Sequence, residues 1–285
     1  MKHILKKIYL YLTISCWLCA GQDNYLKVGN LALTTSQQPS PLFSFGQNIV
    51  DKGDLQLFFF GEYLKSSASN FSEVIPSILW GVTDHLSLFF SIPFLAEFPK
   101  KAKNSINFQD VSVQLEYAYY TSVHENYTAQ ATIVAFIGVP THVSQSIPDT
   151  GLGNPGFFIG TTFSNIGTKW YFYVSPGFVF STKKNGSKAG NQILYQFGLG
   201  RNIVSSPRSI TTILWEFNGV YSQKNLYCNQ INHLSGGNIF YTGPSLFFST
   251  QKLTVLAGIA VPIAQDFNDR SVVNYLIGLD IGWKF

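Results

Sequence analysis

Beyond its first twenty residues the chain lacks any run of 18 consecutive apolar residues, which excludes helical membrane spans. It is short of charge as well. Asp, Glu, Lys and Arg make up 12% of residues, about half of the ~25% usual in soluble domains. Cysteine is nearly absent: there are three, and Cys16 and Cys19 fall in the leader described below. Cys228 then stands alone, which excludes an intramolecular disulfide and with it a small secreted domain held by bridges. With five histidines beside so few thiols, no credible metal site emerges. No phosphate-cradling glycine loop precedes a helix, and no cofactor is expected.

What the chain has instead is apolar and aromatic side chains, 46% and 16% of the total. Residues 1–20 read as an export signal peptide. Lys2, Lys6 and Lys7 form its basic start, Ile8 to Leu18 its apolar stretch, and Ala20 and Gly21 its small residues for cleavage. It is too short for a membrane span and is followed by the polar Gln22-Asp23-Asn24. Cys16 and Cys19 leave a lipoprotein alternative, although neither follows the usual Leu-(Ala/Ser)-(Gly/Ala) triplet. Loss of this segment removes three lysines and no acids, so the formal charge falls from +4 to +1. A near-neutral mature chain argues against nucleic acid as a partner. An exported, β-rich, charge-poor chain has the profile of a transmembrane barrel.

The final segment has the clearest pattern. Tyr275, Ile277, Leu279, Ile281, Trp283 and Phe285 alternate with Leu276, Gly278, Asp280, Gly282 and Lys284. Strand side chains alternate faces, so one face is apolar and the other mostly small or polar. An aromatic ending such a strand resembles the signal read by outer-membrane barrel-assembly machinery, here through Phe285. Period-two runs between turn signals predict about twelve strands. They lie near 54–64, 72–82, 86–95, 108–121, 126–139, 155–164, 168–180, 191–201, 209–222, 238–249, 252–263 and 273–285. The fourth sets Val111, Val113, Leu115 and Tyr117 against Asp110, Ser112, Gln114 and Glu116. The seventh gathers Trp170, Phe172, Val174, Phe178 and Phe180, and the eighth Ile193, Tyr195, Phe197 and Leu199. The first, fifth and tenth are apolar on both faces.

The connections add a direction. Those after even-numbered strands are short: Thr83-Asp84-His85, Thr121 to Glu125, Asn165 to Thr168, Asn202 to Pro207, and Thr250-Gln251. Those after odd-numbered strands are mostly longer, 223–237 the longest and 65–71 of middling length. Short turns on one rim and long loops on the other are the outer-membrane pattern, with both termini periplasmic. It places Trp80, Trp170 and Trp283 in one interfacial girdle. Tyr63, Phe71, Phe94, Phe108, Phe180, Tyr221 and Tyr275 fall near the other rim. The fold expected is all-β: a transmembrane antiparallel up-and-down β-barrel of about twelve strands over 54–285, in a Gram-negative outer membrane. Residues 21–53 form an N-terminal periplasmic or luminal segment, with a disordered tail as the alternative.

Three segments, with the barrel pattern, resemble a Gram-negative family of outer-membrane transporters named for the meta-pathway of phenol degradation. They are Pro41 to Gly53, Trp80 to Leu88 running on to Pro93, and Gly151-Leu-Gly-Asn-Pro-Gly156. Asn154-Pro155 stands where family members often carry Gly-Asp. The resemblance implies uptake of aromatic compounds, and it brings no catalytic or binding residues with it. Turn chemistry also explains Val82 to His85, with Asp84 able to accept from nearby backbone N–H groups.

Passive transport needs a polar interior. The faces opposite the lipid offer Asp110, Gln114, Glu116, Tyr171, Tyr173, Gln192, Gln196, Glu216, Asn218 and Asp280 as lumen-lining candidates, with Glu62 beside them. A barrel of this size falls between the side-chain-filled eight-strand kind and the open porins, so residues 21–53 have room to act as a plug. An enzyme is not expected. The hydrolase alternative rests on His142 and Ser144, two apart as in outer-membrane phospholipases, but no orienting third residue is evident. A structural or adhesive barrel is the other alternative. Expected partners are outer-membrane lipid, a small-molecule solute, and lipopolysaccharide phosphates at Lys100, Lys101, Lys103, Lys183, Lys184 and Lys188.

Overall fold

A computed structural model describes residues 28–67, 69–99, 105–108, 110–139, 155–267 and 272–285. Two 3-10 turns, Gly29–Leu31 and Thr35–Gln37, come first. The strands follow: β1 (Leu55–Ser66), β2 (Ser69–Thr83), β3 (Leu86–Ser91), β4 (Phe94–Pro99), β5 (Ser105–Phe108), β6 (Val111–Val123), β7 (Tyr127–Val139), β8 (Gly156–Gly167), β9 (Trp170–Ser181), β10 (Gln192–Ser206), β11 (Ser209–Ser222), β12 (Leu226–Tyr227), β13 (Gln230–Ile231), β14 (Gly237–Thr250), β15 (Leu253–Phe267) and β16 (Val273–Lys284).

Sequence neighbours pair antiparallel around the sheet, and β1 pairs with both β2 and β16. The sheet therefore closes through β1, and among its described residues only the short β5 has a partner on one side alone. β3 and β4 are one barrel strand: β2 pairs with β3 over Ser77–Thr83 and with β4 over Ser69–Val74. Pro93, which cannot donate to a ladder, marks the break. β5 pairs with β4 and leads into β6. Counted this way, the molecule is a closed up-and-down barrel of twelve antiparallel strands, with β12 and β13 a small separate hairpin.

Several expected boundaries move. The connection expected at 65–71 is the tight 67–68, because β1 and β2 stay paired as far as Lys65 and Asn70. Ser66, Ser69 and Asn70 read as loop chemistry, yet they belong to β1 and β2. The third strand, expected as 86–95, is split at Ile92-Pro93. β10 continues to Ser206 past an irregularity between Asn202 and Val204, which shortens the turn expected at 202–207 to 207–208. One rim now carries the short turns 84–85, 124–126, 168–169, 207–208 and 251–252; the other carries the longer connections together with the two-residue 67–68.

Faces alternate as pleating requires. On β9, Trp170 and Phe172 point outward and are exposed, while Tyr171 and Tyr173 point inward and are fully buried. On β16, Ile277, Leu279, Ile281 and Trp283 are exposed. Trp80, Trp170 and Trp283 are all exposed near the short-turn rim. Tyr63 lies against Tyr275 nearer the other rim, with ring centroids 6.3 Å apart.

Candidate functional site

The barrel is not empty. Residues 28–54 run through its interior as a strap, and the strand residues facing it explain its path. At the short-turn rim Asn30 is fully buried. Its backbone N–H donates to Thr168 (2.9 Å) and its amide to Gly167 (3.1 Å). Its oxygen accepts from Asn202 (3.1 Å) and Thr212 (2.8 Å). Gln37 Oε1 accepts from Ser249 and Thr254, at 2.9 and 2.8 Å. Leu31, Leu33 and Leu42 join Ile210, Leu214 and Phe247 in a buried cluster inside the barrel. Each fully buried leucine contributes about 1.5–3 kcal/mol.

At mid-height the strap is held by two carboxylates. Glu216 on β11 accepts from the backbone N–H groups of Leu42 (3.2 Å) and Phe43 (3.1 Å), and from the Tyr173 hydroxyl (3.0 Å) and Ser245. Glu116 on β6 accepts from the N–H groups of Gln47 (2.7 Å) and Asn48 (3.0 Å). Between them Gln196 accepts from Ser44 and donates to Phe43 O, at 2.9 and 3.1 Å. Tyr171 donates to the Gln47 side chain. A buried carboxylate is costly unless its lone pairs are filled, and pairs of consecutive amides fill these. The chain turns over at Gly46 and Gln47, both with positive φ (84° and 63°). It then descends through Val50 N–H to Ser87 (3.1 Å) and Lys52 N–H to Asp84 (3.0 Å). Asp84 thus anchors the strap rather than its own turn. An ion pair between Asp54 and Lys284 ties the strap's end to β16.

Two cross-strand glycine pairs make room for strap side chains. Gly160 faces Gly177, and a Cβ on either would lie 2.5 or 2.8 Å from the Phe45 ring. Gly258 faces Gly278, where added Cβ atoms would meet Leu42 at 2.9 Å and Phe43 at 2.7 Å respectively. Phe45 then packs edge-on to Phe158, with ring centroids 4.5 Å apart.

The sequence-derived candidates therefore divide. Glu116, Glu216, Gln196, Tyr171 and Tyr173 meet the strap. Gln114, Asn218 and Asp280 line a cavity of about 450 Å³ on its far side, together with Glu62. This cavity runs between the strap and the inner wall, past Phe58, Phe60 and Phe89 on β1 and β3, with residues of β2, β6, β10, β11, β14, β15 and β16 also in its lining. Asp110 and Gln192 sit near the long-loop rim, outside that lining. The sequence reading gives residues 21–53 as a periplasmic or luminal segment with room to act as a plug, but singles out none of the strap's anchoring residues from Asn30 to Val50. Their signal was the inward glycines and the apolar inner faces of β1, β7 and β14.

No family model matches this sequence, and no curated protein sequence matches it. Solved structures do. An outer-membrane channel from Pseudomonas putida F1 superposes with a TM-score of 0.66 at 12% identity, over 87% of this chain and 99% of that one. The NanC porin superposes with a TM-score of 0.50 at 13% identity, over 80% of this chain and all of its own (100%). The fold is that of outer-membrane barrels. His142, Ser144, Gly151 to Asn154 and Lys100, Lys101 and Lys103 lie outside the described residues. Lys183, Lys184 and Lys188 lie on the connection 182–191 at the long-loop rim. It is bonded to its neighbour 223–236 through Lys188 and Leu226, at 3.0 and 2.8 Å.

Proposed function

We propose that this protein resides in the outer membrane and passes small molecules, aromatic ones among them, by diffusion along the cavity beside the strap. The cavity carries the reading. Its volume, about 450 Å³, falls within the ~300–1,000 Å³ range of small-molecule sites. Its lining mixes phenyl rings with a few convergent polar groups, which is the composition that holds a flat apolar solute weakly. The strap narrows the lumen to one wall, so passage is selective without energy coupling. Membership of the phenol meta-pathway transporters is part of the same proposal, supported by Pro41 to Gly53, the motif that forms the strap's crest and descent. The outward apolar band would meet lipid, Phe285 the assembly machinery, and Lys183, Lys184 and Lys188 lipopolysaccharide phosphates.

Planar-bilayer recording and liposome swelling with the refolded full chain test the reading. Small discrete conductance steps and swelling in small aromatic solutes are expected. A barrel that migrates as folded yet neither conducts nor admits solute would sink the conduit.

A further inference from the structure

We propose that the cavity beside the strap, bordered by Glu62 of β1 and Asp280 of β16, is a binding site for a small organic cation, an ammonium group carried on a flat apolar body. The proposal rests on the conduit reading for the route by which the solute arrives.

Charge on the lining is one-sided. Glu62 and Asp280 both face the cavity, and no Lys, Arg or His is among its described lining residues. Glu62 lies opposite Gly278 and Phe60 opposite Asp280. The two residues are therefore diagonal neighbours on one inner face, their backbone positions about 7–8 Å apart. Glu73 on β2 stands directly across from Glu62, outside the cavity lining, with Cβ atoms about 5 Å apart. Like charges this close repel, and a cation between them removes that repulsion.

Independent of the acids, the same cavity contains orphaned amides. Gln56 and Asn218 are only 2% and 6% exposed. Gln56 Nε2 and both amide atoms of Asn218 have no hydrogen-bond partner among the described residues, nor does Asp280 Oδ1. Buried polar atoms are nearly always paired, and these four belong to residues that border one space. Asn218 Oδ1 and Asp280 Oδ1 are acceptors, which an ammonium with three donors satisfies, while Gln56 Nε2 and Asn218 Nδ2 are donors that it leaves unmet. Phe43, Phe58, Phe60 and Phe89 border the space. They supply apolar surface for the body of the solute and π faces for its charge.

Three probes that share one body separate the contributions: 2-phenylethylammonium, 2-phenylethanol and phenylacetate. Calorimetry on the detergent-folded full chain is expected to show saturable binding of the ammonium compound, weaker binding of the alcohol and none of the acid. In bilayers the ammonium compound should block current saturably. Asp280→Asn and Glu62→Gln keep side-chain shape, and each should weaken ammonium binding about tenfold, the worth of one charge-assisted hydrogen bond. The wild-type comparison of probes stands even if a variant fails to fold. Equal binding of alcohol or acid, or folded variants that bind the ammonium compound unchanged, would overturn the site. Ammonium binding without conductance rejects the conduit alone; conductance without ammonium preference rejects this proposal alone.

Discussion

Glu116 and Glu216 each accept two consecutive backbone N–H groups of the strap. A carboxylate in that position needs the amides as much as they need it. Glu116→Gln preserves volume but turns one acceptor oxygen into an NH2 that faces a donor. The expected loss is about 1–3 kcal/mol of local anchoring. Read as opening of the segment, that is roughly a 5- to 150-fold faster hydrogen exchange at Gln47 and Asn48. The barrel's own ladder should stay protected, since Glu116 contributes its backbone to β6 regardless of its head group. Unchanged exchange at Gln47 and Asn48 would mean that the strap is held by packing alone. The same two residues show how far the sequence could be read. Alternation placed both carboxylates on the inner face of β6 and β11. Their partners lie 69 and 174 positions away, and no local period carries that information.

Strands differed in legibility for a physical reason. β9 and β16 carry greasy residues outward and small or polar ones inward, so the period of two was plain. β1, β7 and β14 looked irregular because Phe58 and Phe60, Val134 and Phe136, and Phe247 are apolar yet belong to the inner face. They are not exceptions to pleating. The cavity or the strap lies on their inner side, and a reading that assumes a watery interior takes them as noise. The glycine pairs belong to the same logic, since Gly258 and Gly278 sit opposite one another where Leu42 and Phe43 come closest. Gly278→Val is expected to push Phe43 aside at a cost of about 1–3 kcal/mol for overpacking. Limited proteolysis should then cut within 39–50, and mean conductance should rise while the barrel stays folded. Adding Phe43→Ala should restore much of the protection, because the clash disappears with the ring. If the double variant is as labile as the single one, Gly278 acts on the strand rather than on the strap.

Seen whole, the barrel is polar in direction as well as closed. Short turns, the tryptophans at 80, 170 and 283, and both ends of the strap lie toward one rim, while the longer connections gather at the other. If outer-membrane logic governs orientation, the long-loop rim faces outside the cell. Cys228 supplies a native probe of that orientation. It sits at the tip of the β12–β13 hairpin in the connection 223–236, exposed, with a positive φ of 49°. It is the one free cysteine among the described residues, and cleavage after Ala20, as the sequence leads one to expect, would take Cys16 and Cys19 away. A maleimide on a polymer too large to enter porins should therefore label the protein on intact cells, and Cys228→Ser should abolish the labelling. A barrel inserted the other way, or held in the periplasm, would label only after the outer membrane is permeabilised. That outcome would reverse the direction in which the strap is meant to restrict entry: solute would meet the strap's anchored ends at Asn30 and Asp54 before the cavity. The expected outcome puts the 182–191 and 223–236 cap first, then the wall bearing Glu62 and Asp280, and the strap's anchors last.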